Sequence, residues 1–339
     1  MAICSLMHRV PRTTCTTTTI ATRWLLPFAI SGYRTLSSVP GYGQFKTLAV
    51  TEPANDVMQV EINRPDKANA MSSTFFTELR DCFEKMAIEP ACRAVILCGS
   101  GKVFSSGLDL EENASTFREM TSSGTDSDGG SGGSHAKDPA RKAFEIARFV
   151  TGMQESLASL DRCPKPVISA IHSACVGGGV DLVCATDIRL ASSDAWFSIK
   201  EARRELRQRF VDLGLCADLG TLQRLPKLVG GDSLARELVF TARRFSAAEA
   251  LNAGFVSKIL EDKQELLDHA VKLGSEIASR SPVAIQGSKI NLNYGRDHTL
   301  AQALQYQALW SSAMLQTRDI PTAMMAAVKG KSPPSFPPM

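Results

Sequence analysis

Short apolar runs alternate with helix-like segments through the first part of the chain. Val57–Ile62 and Ala94–Cys98 are apolar runs of strand length, which predicts buried strands. Between them, apolar residues recur at helical spacing over Ser72–Ala87, with Ser72 or Ser73 placed to cap the helix. A strand, a helix and a second strand in this order predict a parallel sheet with right-handed crossovers.

The alternation continues to the middle of the chain and then gives way to helices. Val167–Ile171 is a third predicted strand, and it leads through His172 into three consecutive glycines, Gly177–Gly179. A helix over Val180–Ala185 and a strand over Ile188–Ala191 follow. Beyond about Leu222 the predicted elements are helices, over Ser233–Phe240, Ala247–Asn252, Lys263–Ser279, Pro282–Asn291 and Thr299–Leu315. The sequence therefore predicts an α/β core at residues 45–260 and a helical region at residues 261–330.

The amino-acid composition indicates which class of protein the chain belongs to. Of the 339 residues, 44% are hydrophobic and 22% are charged, which is typical of a soluble globular protein. The five histidines are scattered and the nine cysteines include no C-x-x-C pair, so neither a metal site nor a disulfide framework is predicted. The stretch Thr121–Ser134 contains only Gly, Ser, Thr and Asp, which predicts a disordered surface loop.

The first 38 residues differ from the rest of the chain. Met1–Ser38 contains four arginines and no aspartate or glutamate, which is typical of a mitochondrial transit peptide, with a merely disordered N-terminus as the alternative. The predicted location is the mitochondrial matrix, and the peroxisome is the alternative. Removing these arginines changes the formal net charge from +3 to −1, so no nucleic-acid partner is predicted. No segment is long and apolar enough to predict an integral membrane protein.

Two glycine-containing turns are candidates for binding an oxyanion. Gly177–Gly179 lies between a predicted strand and a predicted helix, where backbone N–H groups and the helix dipole favour a negatively charged oxygen. Phe104–Gly107 follows another predicted strand and places a further N–H group in a tight turn. Two such donors converging on one oxygen would form an oxyanion hole. Each turn alone has a simpler interpretation as a plain loop.

The order of these turns and of three later carboxylates resembles the crotonase (enoyl-CoA hydratase/isomerase) superfamily, most closely its Δ3,5-Δ2,4-dienoyl-CoA isomerase branch. The resemblance covers about Val57 to Asp319 and includes the motifs Cys175–Leu182, Phe197–Glu201, Asp218–Pro226, Phe240–Arg244 and Ser281–Ala284. It implies an α/β fold, a crotonase-like spiral of ββα units with a helical C-terminal trimerisation region. Thr299–Leu315 has apolar residues on more than one helix face, which favours a homotrimer or homohexamer.

The resemblance also implies a site for an acyl-CoA thioester. Its residues are the carboxylates Asp181, Glu201 and Asp218, the oxyanion N–H groups of Ser106 and Gly178, and, for coenzyme A, Ala68, Asn69, Ala70 and Asp109. In the implied reaction Glu201 removes a proton from C2, Asp218 delivers one to C6, and Asp181 tunes or hydrogen-bonds its neighbours. The oxyanion hole stabilises the dienolate formed between these steps. No cofactor is implied, because coenzyme A is part of the substrate.

One segment departs from the family pattern. Ala202–Phe210 adds nine residues, so that Glu201 and Asp218 are seventeen positions apart where the family has eight. Glu205 is therefore an alternative base, although the intact motif before Glu201 favours Glu201. Two other functions stay open: an enoyl-CoA hydratase, and a catalytically impaired scaffold that binds acyl-CoA. The aspartate at 218 and the motif Thr221–Pro226 favour the isomerase.

Overall fold

A six-stranded sheet forms the centre of the computed structural model, which describes residues 39–112, 138–199, 216–330 and 334–339. Its strands are β1 (Leu48–Ala54), β2 (Val57–Ile62), β3 (Ala94–Gly99), β4 (Val167–Ile171), β6 (Ile188–Ser192) and β9 (Lys258–Leu260). β1 and β2 are antiparallel, and the other neighbours in the order β1-β2-β3-β4-β6-β9 are parallel. A smaller sheet contains β5 (Ala174–Val176), β7 (Trp196–Ser198) and β8 (Phe245–Ser246).

The apolar runs become central strands because both faces of the sheet are covered. Val95 and Leu97 of β3 pack in the larger of two apolar clusters, whereas Ile96 and Cys98 pack in the other. A strand buried on both faces is apolar at every position, which is why β3 and β4 appear as continuous runs. The strands predicted from those runs are confirmed.

Helices cover the sheet and continue beyond it. They are α1 (Ser73–Ile88), α2 (Pro139–Arg162), α3 (Gly178–Cys184), α4 (Thr221–Leu228), α5 (Asp232–Thr241), α6 (Ala247–Asn252), α7 (Lys263–Ala278), α8 (Pro282–Asp297), α9 (Leu300–Met314) and α10 (Asp319–Val328). The predicted Ser72 cap is present, since its hydroxyl accepts a hydrogen bond from the Phe75 N–H at 3.2 Å. α3 begins two residues before its predicted start, so Gly178 and Gly179 lie inside the helix.

The C-terminal helices fall into two groups. α7 packs against β3, β4 and β6 and contributes Leu266 and Ala270 to the second apolar cluster, so it belongs with the sheet. α8 and α9 pack against each other, and α9 buries none of its residues. Leu300, Leu304 and Leu309 are therefore exposed on α9. In the described part of the chain, no helix combines the length and the apolar character that crossing a membrane requires.

Several predicted features lie outside the described residues. These are the transit peptide at residues 1–38, the loop Thr121–Ser134, and Glu201 with the insert Ala202–Phe210 and its Glu205.

Candidate functional site

The two predicted oxyanion turns lie side by side. The Ser105 N–H donates to the Ala174 carbonyl at 3.1 Å, and the Val176 N–H donates to the Ser105 carbonyl at 3.0 Å. These bonds attach the turn after β3 to β5, which leads directly into the glycines. The approach is close, because a β-carbon at Gly179 would lie 3.2 Å from the β-carbon of Ser105. The fold therefore brings together two segments that are about 70 residues apart in the sequence.

Gly177 gives the second turn its shape. Its φ of 52° lies in the left-handed region, which glycine adopts without strain. Its N–H donates to the Ser198 carbonyl at 2.9 Å, and its carbonyl accepts from Val180 and Asp181 at 2.8 and 3.2 Å. The turn is thereby fixed to the end of β7 on one side and to α3 on the other. Gly178 follows as the first residue of α3.

The Ser106 N–H, predicted to be an oxyanion donor, already has an acceptor. It donates to the Ala68 carbonyl at 3.0 Å, and the neighbouring Ser105 hydroxyl donates to the Asn69 carbonyl at 2.9 Å. Ser106 would have to exchange its bond to Ala68 for a bond to the thioester oxygen. Its assignment as a donor stays a prediction that this structure does not favour.

Asn69 is an internal hub of the loop predicted to receive coenzyme A. Its side chain is fully buried, and its Nδ2 donates to the carbonyls of Ser100, Val103 and Phe104 at 2.8, 2.9 and 3.2 Å. Its Oδ1 accepts from the Arg64 N–H at 3.0 Å. Both polar atoms of its side chain are bonded to protein, so the side chain shapes the loop, and the assignment of Asn69 to substrate binding stays a prediction.

The other residues predicted to bind coenzyme A differ in exposure. Ala68 is exposed, Ala70 is buried, and Asp109 is buried with an ion pair to Arg64 at 3.0 Å. Arg64 also donates from Nη1 to the Ala70 carbonyl at 2.5 Å. Burial alone would raise the pKa of Asp109, but hydrogen bonds from the backbone at Glu112 and from Arg64 outweigh it and lower that pKa. A charged Asp109 thus holds Arg64 against the loop.

Asp181 is the buried carboxylate of the site. It lies on α3 with 3% of its surface exposed, and its Oδ1 accepts from the Thr221 N–H at the start of α4 at 2.7 Å. Burial raises the pKa of Asp181 to about 6, against the opposing effects of that hydrogen bond and of the Arg224 charge. The negative charge of Asp218 raises it further. Asp181 therefore titrates close to neutral pH, where carboxyl groups that transfer protons are most effective.

Asp218 lies on the segment that leads into α4. Its side chain is exposed, yet the surrounding protein removes enough water to raise its pKa. Its backbone carbonyl accepts from Gln154 Nε2 of α2 at 2.6 Å. The structure thus brings Asp181 and Asp218 close enough to interact electrostatically, with one inside the protein and the other at its surface. Glu201 belongs to the undescribed residues.

Sequence reasoning missed three contributors to the site. The Thr221 N–H orients Asp181, Gln154 holds the backbone at Asp218, and Arg224 lies against the segment between them. Thr221 and Arg224 lie within the motif Asp218–Pro226, whereas Gln154 lies in none of the motifs named from the sequence. No group of three His, Cys, Asp or Glu side chains that could hold a metal ion occurs within the described ranges.

Comparisons with known proteins show the family to which the chain belongs. A family model described as enoyl-CoA hydratase/isomerase matches residues 52–129 and 122–336. The chain is 45% identical over 292 residues to a mouse protein named Delta(3,5)-Delta(2,4)-dienoyl-CoA isomerase, mitochondrial, covering 86% of this chain and 82% of the relative. It is 40% identical over 291 residues to an Arabidopsis thaliana protein of the same name designated peroxisomal, covering 85% and 96%.

A solved structure also matches. The crystal structure of an enoyl-CoA hydratase from Bacillus anthracis superimposes with a TM-score of 0.71 at 26% identity, covering 86% of this chain and 99% of that chain. This similarity confirms the predicted α/β fold class.

Proposed function

The chain belongs to the enoyl-CoA hydratase/isomerase family, and on that basis we propose that it converts 3,5-dienoyl-CoA into 2,4-dienoyl-CoA during the oxidation of unsaturated fatty acids. The observation that carries the proposal is a second carboxylate, Asp218, next to the buried Asp181; the pKa values of both are raised. Moving two double bonds requires proton transfer at two distant carbons, C2 and C6. Its raised proton affinity suits Asp218 to deliver the proton at C6, and Asp181 tunes the charge of its neighbours.

The proposed reaction proceeds through a dienolate. Glu201 takes a proton from C2, and the electron pair of that C–H bond delocalises through both double bonds onto the thioester oxygen. Asp218 then delivers a proton to C6, which leaves double bonds at C2–C3 and C4–C5. Glu201 ends the reaction protonated and Asp218 ends it ionised, so Glu201 releases a proton to water and Asp218 takes one from water before the next turnover. No cofactor is needed, since the acyl thioester itself accepts the electron pair.

The oxyanion donors are proposed to come from the two adjacent turns. Gly178 supplies one N–H at the start of α3. The turn after β3 supplies the other, and Ser106 is the predicted donor if its bond to Ala68 opens on binding. Preorganised donors of this kind contribute on the order of 10²- to 10³-fold to a rate each.

Coenzyme A is proposed to lie along the loop that contains Ala68. The Arg64–Asp109 pair and the Asn69 hub hold this loop in place, so the contacts to coenzyme A come from its exposed residues. Asn69, Ala70 and Asp109 then support the binding surface from behind.

The decisive experiment is Asp218→Asn assayed with a 3,5-dienoyl-CoA by the absorbance of the conjugated product. We expect kcat to fall by about 10²- to 10⁴-fold with little change in KM, because the lost proton transfer occurs only in the transition state. Exchange of the C2 proton with solvent deuterium should persist, because forming the dienolate needs Glu201 and not Asp218.

Asp268→Asn is the matched control, because Asp268 is an exposed aspartate on α7 that accepts a hydrogen bond from Gln264 of the same helix at 3.0 Å. It should retain full activity. If Asp218→Asn isomerises the substrate at the wild-type rate, Asp218 has no catalytic role. Water addition to a 2-enoyl-CoA by the wild type, without isomerisation, would identify a hydratase instead. Binding of acyl-CoA with neither reaction would identify the scaffold.

The proposed oligomeric state and cellular location rest on α9 and on the first 38 residues. α9 exposes Leu300, Leu304 and Leu309 and buries no residue, which supports a homotrimer or homohexamer in which other copies cover these leucines. The mouse relative is named mitochondrial and the Arabidopsis relative peroxisomal. We place this protein in the mitochondrial matrix, in agreement with the composition of residues 1–38.

A further inference from the structure

Arg224 lies against the backbone that carries Asp218. It belongs to the first turn of α4, and its Nε and Nη2 donate to Oδ2 of Asp161 at 3.0 and 2.7 Å. Both side chains are mostly buried, with 17% and 15% of their surfaces exposed. A two-pronged, partly desolvated pair of this kind fixes the orientation of a guanidinium far better than a surface ion pair does. Arg224 therefore has one well-defined position.

That position depends on the absence of a side chain at Gly220. Gly220 has a φ of 124°, and a β-carbon there would collide with Nη1 of Arg224. The same Nη1 reaches the Leu219 carbonyl at 3.5 Å. The guanidinium thus fills the space beside the backbone between Asp218 and Thr221. The two end residues of this segment both serve the proposed site. Asp218 carries one of its carboxyl groups, and the Thr221 N–H orients Asp181.

The other side of the segment is held by α2. Gln154 and Asp161 are seven residues apart, which places them two turns apart on one face of that helix. Gln154 bonds the Asp218 carbonyl, and Asp161 bonds Arg224. Asp161 is itself fixed to α8, because Arg296 Nη1 lies 3.3 Å from its Oδ1 and Asn293 donates to its carbonyl at 3.1 Å. The segment is thereby held between α2 and α4.

We infer that Arg224, held by Asp161, is a positioning residue that sets the separation and orientation of Asp181 and Asp218. This inference rests on the proposed function, because it assigns Arg224 a role in the same reaction. Proton transfer requires the Asp218 carboxyl group to meet C6 at hydrogen-bond range, with Asp181 held in place beside it. A displacement of about 1 Å of a reacting group is enough to reduce a rate about 100-fold.

Arg224 also affects Asp181 electrostatically. Its positive charge lowers the pKa of Asp181, whereas burial and the charge of Asp218 raise it. The thiols of Cys175 and Cys184 also face Asp181, and burial raises the pKa values of both thiols. Loss of the Arg224 charge should therefore raise the pKa of Asp181. A purely structural role in holding α4 would not predict this change.

The experiment compares Arg224→Met, Arg224→Lys and Asp161→Asn with Arg162→Met. The control removes an exposed pair of the same helix α2, in which Arg162 Nη1 lies 2.7 Å from Glu155. Arg224→Met should lower kcat for 3,5-dienoyl-CoA by about 10- to 100-fold while KM changes less than about threefold. Arg224→Lys should recover only part of kcat, because lysine cannot form the two-pronged contact. Asp161→Asn should fall between these two variants, and Arg162→Met should match the wild type.

A second readout does not depend on turnover. The infrared band of protonated carboxyl groups, with Asp181→Asn as the subtraction reference, reports the titration of Asp181 directly. Its midpoint should rise in Arg224→Met and return towards the wild-type value in Arg224→Lys. A folded Arg224→Met protein with an unchanged midpoint and kcat within twofold of wild type would overturn the inference. If the wild type does not isomerise dienoyl-CoA, the proposed function fails, and the infrared midpoint still decides whether Arg224 acts on Asp181.

Discussion

Asp181→Asn should make the protein more stable and less active. The carboxyl group is 3% exposed and its pKa is raised by burial from 3.8 to about 6. Between these two values the folded protein binds the proton more tightly than the unfolded chain does, so stability falls as the pH rises through this interval. A difference of about two pKa units corresponds to about 3 kcal/mol of folding free energy above pH 7. Asparagine removes the charge, keeps the shape, and still accepts the Thr221 N–H.

The stability gained by Asp181→Asn should depend on pH. We expect Asp181→Asn to raise the free energy of unfolding by up to about 3 kcal/mol at pH 8 and by about 1 kcal/mol at pH 4.5, where the native carboxyl group is already neutral. Urea unfolding followed by tryptophan fluorescence measures both values. The protein concentration must be held fixed, because subunit association contributes to apparent stability.

Asp109→Asn is a control variant whose stability at pH 8 should change in the opposite direction. Asp109 is also buried, but its pKa is lowered, because hydrogen bonds from the backbone at Glu112 and from Arg64 outweigh burial. Its charge therefore stabilises the native state above the ordinary pKa of aspartate, and Asp109→Asn should lose stability at pH 8. The reasoning would be refuted if Asp181→Asn raised the free energy of unfolding equally at pH 4.5 and pH 8. A lower free energy of unfolding for Asp181→Asn at pH 8 would refute it as well.

Three further outcomes are expected. His172 is buried, and its Nδ1 has no hydrogen-bond partner among the described residues. Burial and the charge of Lys263 lower the pKa of His172 to about 4. The free energy of unfolding should therefore fall by up to about 3 kcal/mol as the pH drops from 6.5 towards 4. Urea midpoints should show a smaller fall for His172→Gln, and an equal fall would contradict the role of His172. Light scattering should give a trimeric or hexameric mass that decreases in Leu304→Asp and Leu309→Asp, whereas a monomeric wild type would contradict the assembly. Residues 1–40 fused to a fluorescent reporter should direct it to mitochondria, and a diffuse cytosolic signal would count against import.

The strands and the glycine turns could be predicted because their signals are local. A strand buried on both faces is apolar at every position, and a helix start needs a capping side chain such as Ser72. α2 carries local signals too, and the sequence prediction missed them. Asp138 caps the helix and Pro139 follows at its first position. From Ile146 to Leu160, apolar residues recur at helical spacing.

The site was less predictable because its supports connect distant segments. The sequence did not indicate that the Asn69 side chain supports the loop, because its bonds to Ser100, Val103 and Phe104 exist only after β3 has folded beside the loop. The pair Arg224–Asp161 joins residues 63 positions apart. Such pairings follow from topology, and no periodicity in the sequence indicates them.

The connection between β7 and α4 begins and ends at firmly anchored points. Phe197 of β7 is fully buried and stacks on Phe245 at 5.2 Å, while Leu225 of α4 is fully buried as well. The free-energy cost of closing a chain segment between fixed ends grows only with the logarithm of its length, at about 0.6 kcal/mol per doubling. The nine residues of Ala202–Phe210 roughly double the family's spacing, so their entropic effect is smaller than that of one buried methylene group, at about 0.8 kcal/mol. Stability therefore sets little limit on the length of this connection, and the limit comes from chemistry, because Glu201 and Asp218 both lie within it and must reach the same substrate.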